Sequence, residues 1–486
     1  MKTRIFLFIT GVAFVGQACD DYLDLKPISV VTAENAYSTA DDAEAALVGA
    51  YDSFSQEYYI WDNIIFNDVR SDNHYAGGDD ANIYQVDNLA IEPTNPRLFN
   101  NWSQLYNAIA KVNLVLDKVP QIEDPRIDAG GRRRQILGEA SFLRAYHYYQ
   151  LVKMWGDVPL ITKPVSSTAP SEVHVERSPV AQVYTQIVAD LEYAAANLPA
   201  TFGSDATVNK ARATRGAAHA MLAKVWAQRP DRDYEKVRAY ADSVINSPAG
   251  YRLLDNYDHL WDGNHYNNDE SIMEVQFVGG TEGNWGPNLL LGSDWRKFVT
   301  PSKDLVAAFD NEGDTERKNS TIVFATAPWA DEFWSLEVGG TIPFSYKWRD
   351  PAGGNSTNRQ YLLRLGDIVL LKAEAHNELG QLEDARAEID RIRDRAGLGP
   401  TPAANQAEMR LAIENERRLE LAQEAQRWDD LVRYGRAVEV MSNLVEIDLR
   451  TNQPKDYEMT ESKILLPIPQ SERNRNPRLG QNEGYN

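Results

Sequence analysis

One cysteine in 486 residues removes the intramolecular disulfide from any account of this chain's stability. Lysine and arginine are also few against the acids, 50 to 71, for a formal net charge of −21. Phosphate backbones and anionic lipid surfaces are bound by clustered Lys and Arg, so nucleic acid and membrane surface are excluded as principal ligands. Solubility and neutral partners suit such a chain better. Long apolar runs are missing as well. Beyond the stretch from Ile5 to Val15, nothing approaches the roughly 20 residues that a spanning helix requires.

Catalytic signatures are equally sparse. Of seven histidines, neither HAMLA at His219 nor HNELG at His376 carries the second histidine of a zinc-protease helix. No metal site and no cofactor are expected. A G-x-S-x-G elbow and a phosphate-cradling glycine loop are both absent. The Asp310–Glu316 stretch, DNEGDTE, does not follow a twelve-residue calcium loop and reads as a solvated turn. With 71 acids a glycosidase pair is not excluded by counting, but no spacing places two carboxylates across a cleft. The chain is therefore expected not to be an enzyme.

What is present begins at the N-terminus. Lys2, Arg4, the apolar stretch and the small residues before Cys19 make residues 1–18 a secretory leader rather than a span. The lone thiol at its end reads as a lipidation point, with cleavage before Cys19 and acylation of its sulfur and new amine. Each buried acyl methylene contributes roughly 0.8 kcal/mol, and two or more chains make such anchoring durable. Lipoboxes usually have Leu three residues before the cysteine; here that place is Gly16. The mature chain is expected to meet the membrane only through this anchor. Asp20 and Asp21 resemble the surface-export signal of lipoproteins of the Bacteroidetes, which implies the outer face of the outer membrane.

Most of the remainder reads as helix. In ATRGAAHAMLAKVW and the residues that follow, small and apolar side chains recur at three- and four-residue steps, break at a proline, and resume at Val237, Tyr240, Ala241 and Val244. That is a helical hairpin. The stretch VLLKAEAHNELGQLEDARAEIDRIRDRAG repeats the pattern with tetratricopeptide spacing at Ala373, Gly380, Leu382, Ala385, Ile389 and Ile392. Further helices are expected at about 97–119, 131–155 and 178–198. The fold class is thus all-α dominated, a scaffold of tetratricopeptide-like helix pairs mainly over 97–247 and 359–437.

Two regions break the pattern. One, about 60–96, is rich in Asn, Asp, Gly and aromatics (NDVRSDNHYAGGDDANIYQVDN). The other, about 251–360, holds Trp261, Trp285, Trp295, Trp329, Trp334 and Trp348, six of the eleven tryptophans. Long irregular segments on a helical scaffold are functional or disordered, and this aromatic content argues against disorder.

Several ordered blocks carry a resemblance over nearly the whole chain: CDDYLDLKP, GEASFLRAYHYYQLVKMWGDVPLI, ATRGAAHAMLAKVW, YLLRLGDIVLLKAEAHNELG, ENERRLELAQEAQRWDDLVRYG and KILLPIPQSERNRNPRLGQNEGY. Together they resemble the SusD/RagB family of outer-membrane nutrient-binding lipoproteins. The resemblance implies a single domain over 19–486, with about four helix pairs on one face and a loop-rich, ligand-binding half containing a few short strands. It also implies a partner, a TonB-dependent barrel transporter of the SusC type, to which the protein passes an oligosaccharide captured outside the cell.

Most residues of these blocks have a plainer reading. Glu139, Arg144, Glu416, Arg417, Glu420 and Arg427 recur at spacings that let ion pairs lock neighbouring helices. Trp428, Trp261 and Trp348 read as core, and Trp102 with Tyr106 as an interhelical seam. A sugar offers a C–H face and hydroxyl edges, so its site needs flat aromatic surface beside Asn, Asp or Arg. By that composition the ligand candidates are Asp72, Asn73, His74, Tyr75 and Tyr84 from the first region, and Trp285, Trp295, Arg296, Trp329 and Trp334 from the second. Low basic content favours a neutral glycan. The alternatives are a peptide or other nutrient delivered to the same transporter, or a helical-repeat scaffold with no ligand of its own.

Overall fold

Short polar caps start the helices that apolar periodicity then prolongs. Asn95 accepts a backbone N–H in front of Pro96–Lys118, and Thr214 does the same for Arg215–Gln228, each satisfying a donor that the first turn leaves orphaned. The computed structural model describes residues 37–292, 296–349, 352–448 and 451–485. Leader residues 1–18, Cys19 and Trp295 lie outside the described residues. None of the described helices is long and apolar enough to cross a membrane.

The scaffold is a succession of helices, Pro96–Lys118, Arg132–Trp155, Val180–Asn197, Arg215–Gln228, Tyr234–Ile245, Leu365–Glu378, Leu382–Arg395 and Gln406–Glu420. Each packs on the next, across the long insertion between Tyr234–Ile245 and Leu365–Glu378. Small residues make the close approach possible: Ala217, Ala218, Ala220, Ala373 and Ala385 are fully buried. Gly380 turns the chain between two of these helices with a φ of +76°, a conformation that costs other residues 1–2 kcal/mol or so.

Buried charge ties the helices laterally. Arg144 grips Asp190 with two hydrogen bonds of 2.8 and 2.7 Å, joining Arg132–Trp155 to Val180–Asn197. Arg417 reaches Asp367 and Asp430, and Lys224 pairs with the same Asp367. Removing one member of such a pair is costly because it strands the other in low dielectric. Trp428 is core as expected, 3% exposed, with the Arg70 guanidinium 4.2 Å above its ring.

The C-terminal passage returns to this core. Leu466 and Ile468 are fully buried, the Trp155 indole donates to the Pro467 carbonyl at 3.0 Å, and the Leu466 N–H reaches Met154.

Among the described residues the strands are short and pair in twos: His74–Tyr75 with Thr300–Pro301, Val158–Pro159 with Arg177–Ser178, Ser271–Val275 with Gln360–Arg364, Ile322–Thr326 with Thr341–Ser345, and Ile447–Asp448 with Gln453–Pro454. The structure is therefore mostly helical with a few small sheets.

One expectation needs correction. The segment from Tyr58 to Gly77 is not a surface loop. It forms two π-helical turns, Tyr58–Asp62 and Ile65–Val69, and all but a few of its residues are buried. Its Asn and Asp content suggested hydrogen bonds to a ligand, but Asp62, Asp68, Asp72 and Asn73 bond other parts of the protein. Asp68 accepts from the backbone N–H groups of Gln423 and Ala425 at 3.2 and 2.8 Å, a contact that no local reading of polarity foresees.

Candidate functional site

The first-region candidates are interior. Asp72 is 2% exposed and is held by Arg427 through hydrogen bonds of 2.7 and 2.8 Å and by Arg418 at 3.1 Å. Burial opposes its ionisation, but the two guanidiniums outweigh burial and hold the carboxyl well below its usual range. Asn73 accepts from Arg418 at 2.8 Å. His74, fully buried, has its pKa pushed down to about 3 by burial, with the Arg418 and Lys347 charges adding to the effect. Tyr75 donates to Asp331 at 2.8 Å, and Tyr84 to the Gly78 carbonyl at 3.1 Å. These five were expected at the ligand surface because Asn, Asp and Tyr suit sugar hydroxyls; here the same hydrogen-bonding capacity is directed inward. Asp72 does line a polar cleft of about 460 Å³ with Glu414, Arg418 and Arg436, yet its carboxylate is already fully partnered.

The second region behaves differently. Trp285, Arg296, Trp329 and Trp334 are all half-buried. Trp285 meets Trp61 edge-on at 6.2 Å, and Arg97 lies 4.5 Å from the other face of the Trp61 group while pairing with Asp62 and Asp80. Trp329 has the Lys297 ammonium 5.0 Å from its ring centroid and Phe344 at its edge. Lys297 in turn binds Asp331 at 2.6 Å, the same carboxylate oxygen that Tyr75 reaches. Trp334 sits between Phe324 and Phe333, with Lys303 5.6 Å from its ring.

The local sequence explains this placement. TIVFAT and TIPFS are β-branched and aromatic, and pair in register from Ile322 with Ser345 to Thr326 with Thr341. Their connecting segment, 327–340, packs both tryptophans part-buried against the apolar residues of the hairpin, with the indole nitrogens buried, while Leu336 and Val338 are more than three-quarters exposed. On the other side, residues 76–78 press against 296–298. Gly78, at φ +72°, would place a Cβ 2.5 Å from the Arg296 carbonyl oxygen, so glycine is required for this approach. The Gly77 N–H donates to the Lys297 carbonyl at 2.9 Å. Lys297 is thus the hub between the two irregular regions, and sequence reasoning missed it, although it directly follows the Trp295–Arg296 pair that was singled out.

An aromatic-lined cleft of about 590 Å³ lies elsewhere, between Phe99, Trp102, Tyr106, Val173, Arg475 and Leu479 among others. Trp102 and Tyr106 do pack together there, 5.0 Å apart, with Trp155 beneath. Trp261 and Trp348 are core, at 4% and 3% exposure.

Among the described residues the second region thus groups part-buried indoles with lysines beside them, the kind of aromatic surface that suits the C–H face of a sugar. Comparison with known proteins agrees in kind. Residues 269–485 match the SusD family model, and residues 21–226 match a second model described as starch-binding associating with outer membrane. The chain is 28% identical to SusD-like protein P2 of Formosa agariphila over the full length of both, and 25% identical to a SusD-like protein of Bacteroides ovatus over 90% of this chain and 83% of that one. Among solved structures, a laminarin binding SusD-like protein superposes with a TM-score of 0.76 at 29% identity, covering 92% of this chain and all of the other.

Proposed function

Because the chain belongs to the SusD/RagB family of non-catalytic, glycan-binding proteins associated with the outer membrane, we propose that it captures a neutral oligo- or polysaccharide at the cell surface and passes it to a TonB-dependent transporter of the SusC type. The observation that carries this reading is the family match on both halves of the chain. Its physical counterpart is the part-buried set Trp285, Trp329 and Trp334 with Arg296, which we take as the ligand platform. The 29% identity to a laminarin-binding protein makes laminarin, a neutral glucan, the first ligand to try. Two or three stacked aromatics hold a sugar with micromolar to millimolar affinity, about −4 to −8 kcal/mol. Weak sites suit a carrier that must release its cargo, because many anchored copies on one polymer raise capture through effective concentration.

The anchor in this reading is lipid on Cys19, supported by the leader and by the absence of any other cysteine. Cys19→Ser should then free the protein from membranes.

Native affinity electrophoresis of the purified protein against laminarin and a panel of neutral, uronate and sulfated polysaccharides tests the capture step. Retardation by a neutral glucan is the expected result. Mobility unchanged in every neutral polysaccharide would sink the glycan reading.

A further inference from the structure

The turn after the helix Tyr234–Ile245 contains HLWDGNH, residues 259–265, and folds its two histidines onto each other. Their rings stack at 3.8 Å with an interplanar angle of 12°. Asp262 lies at the side of His265: its Oδ2 is 2.7 Å from Nδ1 of that ring, and its Oδ1 accepts the backbone N–H groups of Asn264 and His265 at 2.8 and 3.2 Å. One possible ligand atom from each of the three residues lies within 4.8 Å of the other two. This is a His-x-x-Asp-x-x-His arrangement, a spacing that a search for zinc-protease helices does not detect.

We propose that His259, Asp262 and His265 bind a single transition-metal dication of the zinc class. Two imidazoles and one carboxylate form a borderline-soft donor set, which suits zinc, nickel or copper and not the all-oxygen preference of calcium or magnesium. Bonds of about 2.0–2.1 Å to a tetrahedral zinc need donor atoms about 3.3 Å apart. His259 and Asp262 are half-buried and His265 is exposed, so the His265 ring at the surface is the one that must turn out of the stack to bring both imidazole donors onto one ion. The surroundings do not oppose a cation. The nearby Arg349 guanidinium is neutralised by Asp258, at 2.7 and 3.1 Å, and Asn268 holds the His265 carbonyl at 2.9 Å, which steadies the backbone of the turn. Three protein ligands leave a fourth position open. The bound ion would clip the two ends of the turn together and, binding only the folded form, raise its stability.

The test is calorimetric titration of EDTA-stripped, purified protein with zinc chloride, followed by thermal melts with and without the metal. Wild type should take up one equivalent and melt higher with zinc present. His259→Ala and His265→Ala should each bind at least tenfold more weakly and lose the thermal shift, while His376→Ala, on a different helix, keeps both. Unchanged far-UV circular dichroism of the two loop variants separates loss of the site from loss of the fold. Absence of a one-equivalent event in wild type, equal affinity in the His259 and His265 variants, or calcium chloride binding as well as zinc would each overturn the proposal.

Discussion

The segments around Asp72 and around Trp329 both break the helical pattern and are rich in aromatic side chains, the first with many Asn and Asp and the second with one Asp and no Asn over 322–345, yet the first is core and the second only part-buried. Around Asp72 the buried carboxylates have partners brought from elsewhere in the chain: Asp62 has Arg97, Asp68 has the backbone at 423 and 425, Asp72 has Arg418 and Arg427, and Asp87 has Lys455. Around Trp329 Asp331 is so engaged, by Lys297 and Tyr75, and the hairpin leaves Phe324, Leu336 and Val338 exposed while Trp329 and Trp334 stay part-buried. Polar residues mark a surface only when no distant donor or acceptor satisfies them. Where such partners exist, the same residues staple the fold.

The contrast is most sharply broken by Asp72→Ala. It leaves Arg427 buried beside Glu414 alone, and losing one member of a buried pair costs about 3–5 kcal/mol. Urea unfolding should show a loss of that size, and a change below about 1 kcal/mol would mean that the first segment is not the staple described.

Trp329→Ala should do the reverse. Losing an aromatic anchor at the centre of a binding surface costs about 2 kcal/mol, roughly 30-fold in affinity, so the variant should migrate freely through a laminarin gel that slows wild type, with its helical circular dichroism intact. Retained retardation would remove Trp329 from the platform.

A third comparison uses pH. Burial holds His74 neutral with a pKa of about 3 against an ordinary 6.5, while Arg418 and Lys347 disfavour its charge and Asp72 favours it; Asp68 lies 3.9 Å from the ring. The unfolded chain therefore binds the extra proton below about pH 6.5 and the folded one does not. Stability from this group is complete above 6.5 and is lost as pH falls toward 3, with a slope of about 1.4 kcal/mol per pH unit. His74→Gln removes the group, so the stability gap between wild type and variant should narrow as pH drops from 6.5 to 4. Buried carboxylates titrate in both proteins and cancel from the difference. A gap that stays constant with pH would show that the ring is already protonated or not buried.

The smallest effect belongs to Leu336→Ser. This side chain is 77% exposed, and such surface changes stay within about 0.5 kcal/mol. A larger drop in melting temperature would mean that the hairpin tip packs on something in solution.

Much of the scaffold was legible in advance. Helices expected near 97–119, 131–155 and 178–198 are found at Pro96–Lys118, Arg132–Trp155 and Val180–Asn197, because apolar periodicity and caps act within one turn of the chain. The core tryptophans Trp261, Trp348 and Trp428 were also readable from their flanking residues. The interior placement of Asp72, Asn73, His74, Tyr75 and Tyr84 was not, since their partners lie at positions as remote as 331 and 418–427. Lys297 was missed for the same reason: its importance comes from Asp331 and Trp329, which the chain reaches only after two further helices. The histidines at 259 and 265 were passed over in the sequence, where no metal site was expected, and only the folded turn brings their rings into a 3.8 Å stack.

By itself the amino-acid sequence determined the family, the helical class, the acidic balance that disfavours anionic ligands, and the single thiol available for lipid. These follow from local periodicity, from composition and from motif order, none of which depends on where remote segments meet. Which aromatic residues face outward was decided only by the tertiary structure, because exposure is a property of what else packs there. The π-helical turn Ile65–Val69 is held by residues more than 300 positions away in the chain, whereas the segment at the tip of the hairpin 322–345 leaves Leu336 and Val338 exposed beside the part-buried Trp329 and Trp334.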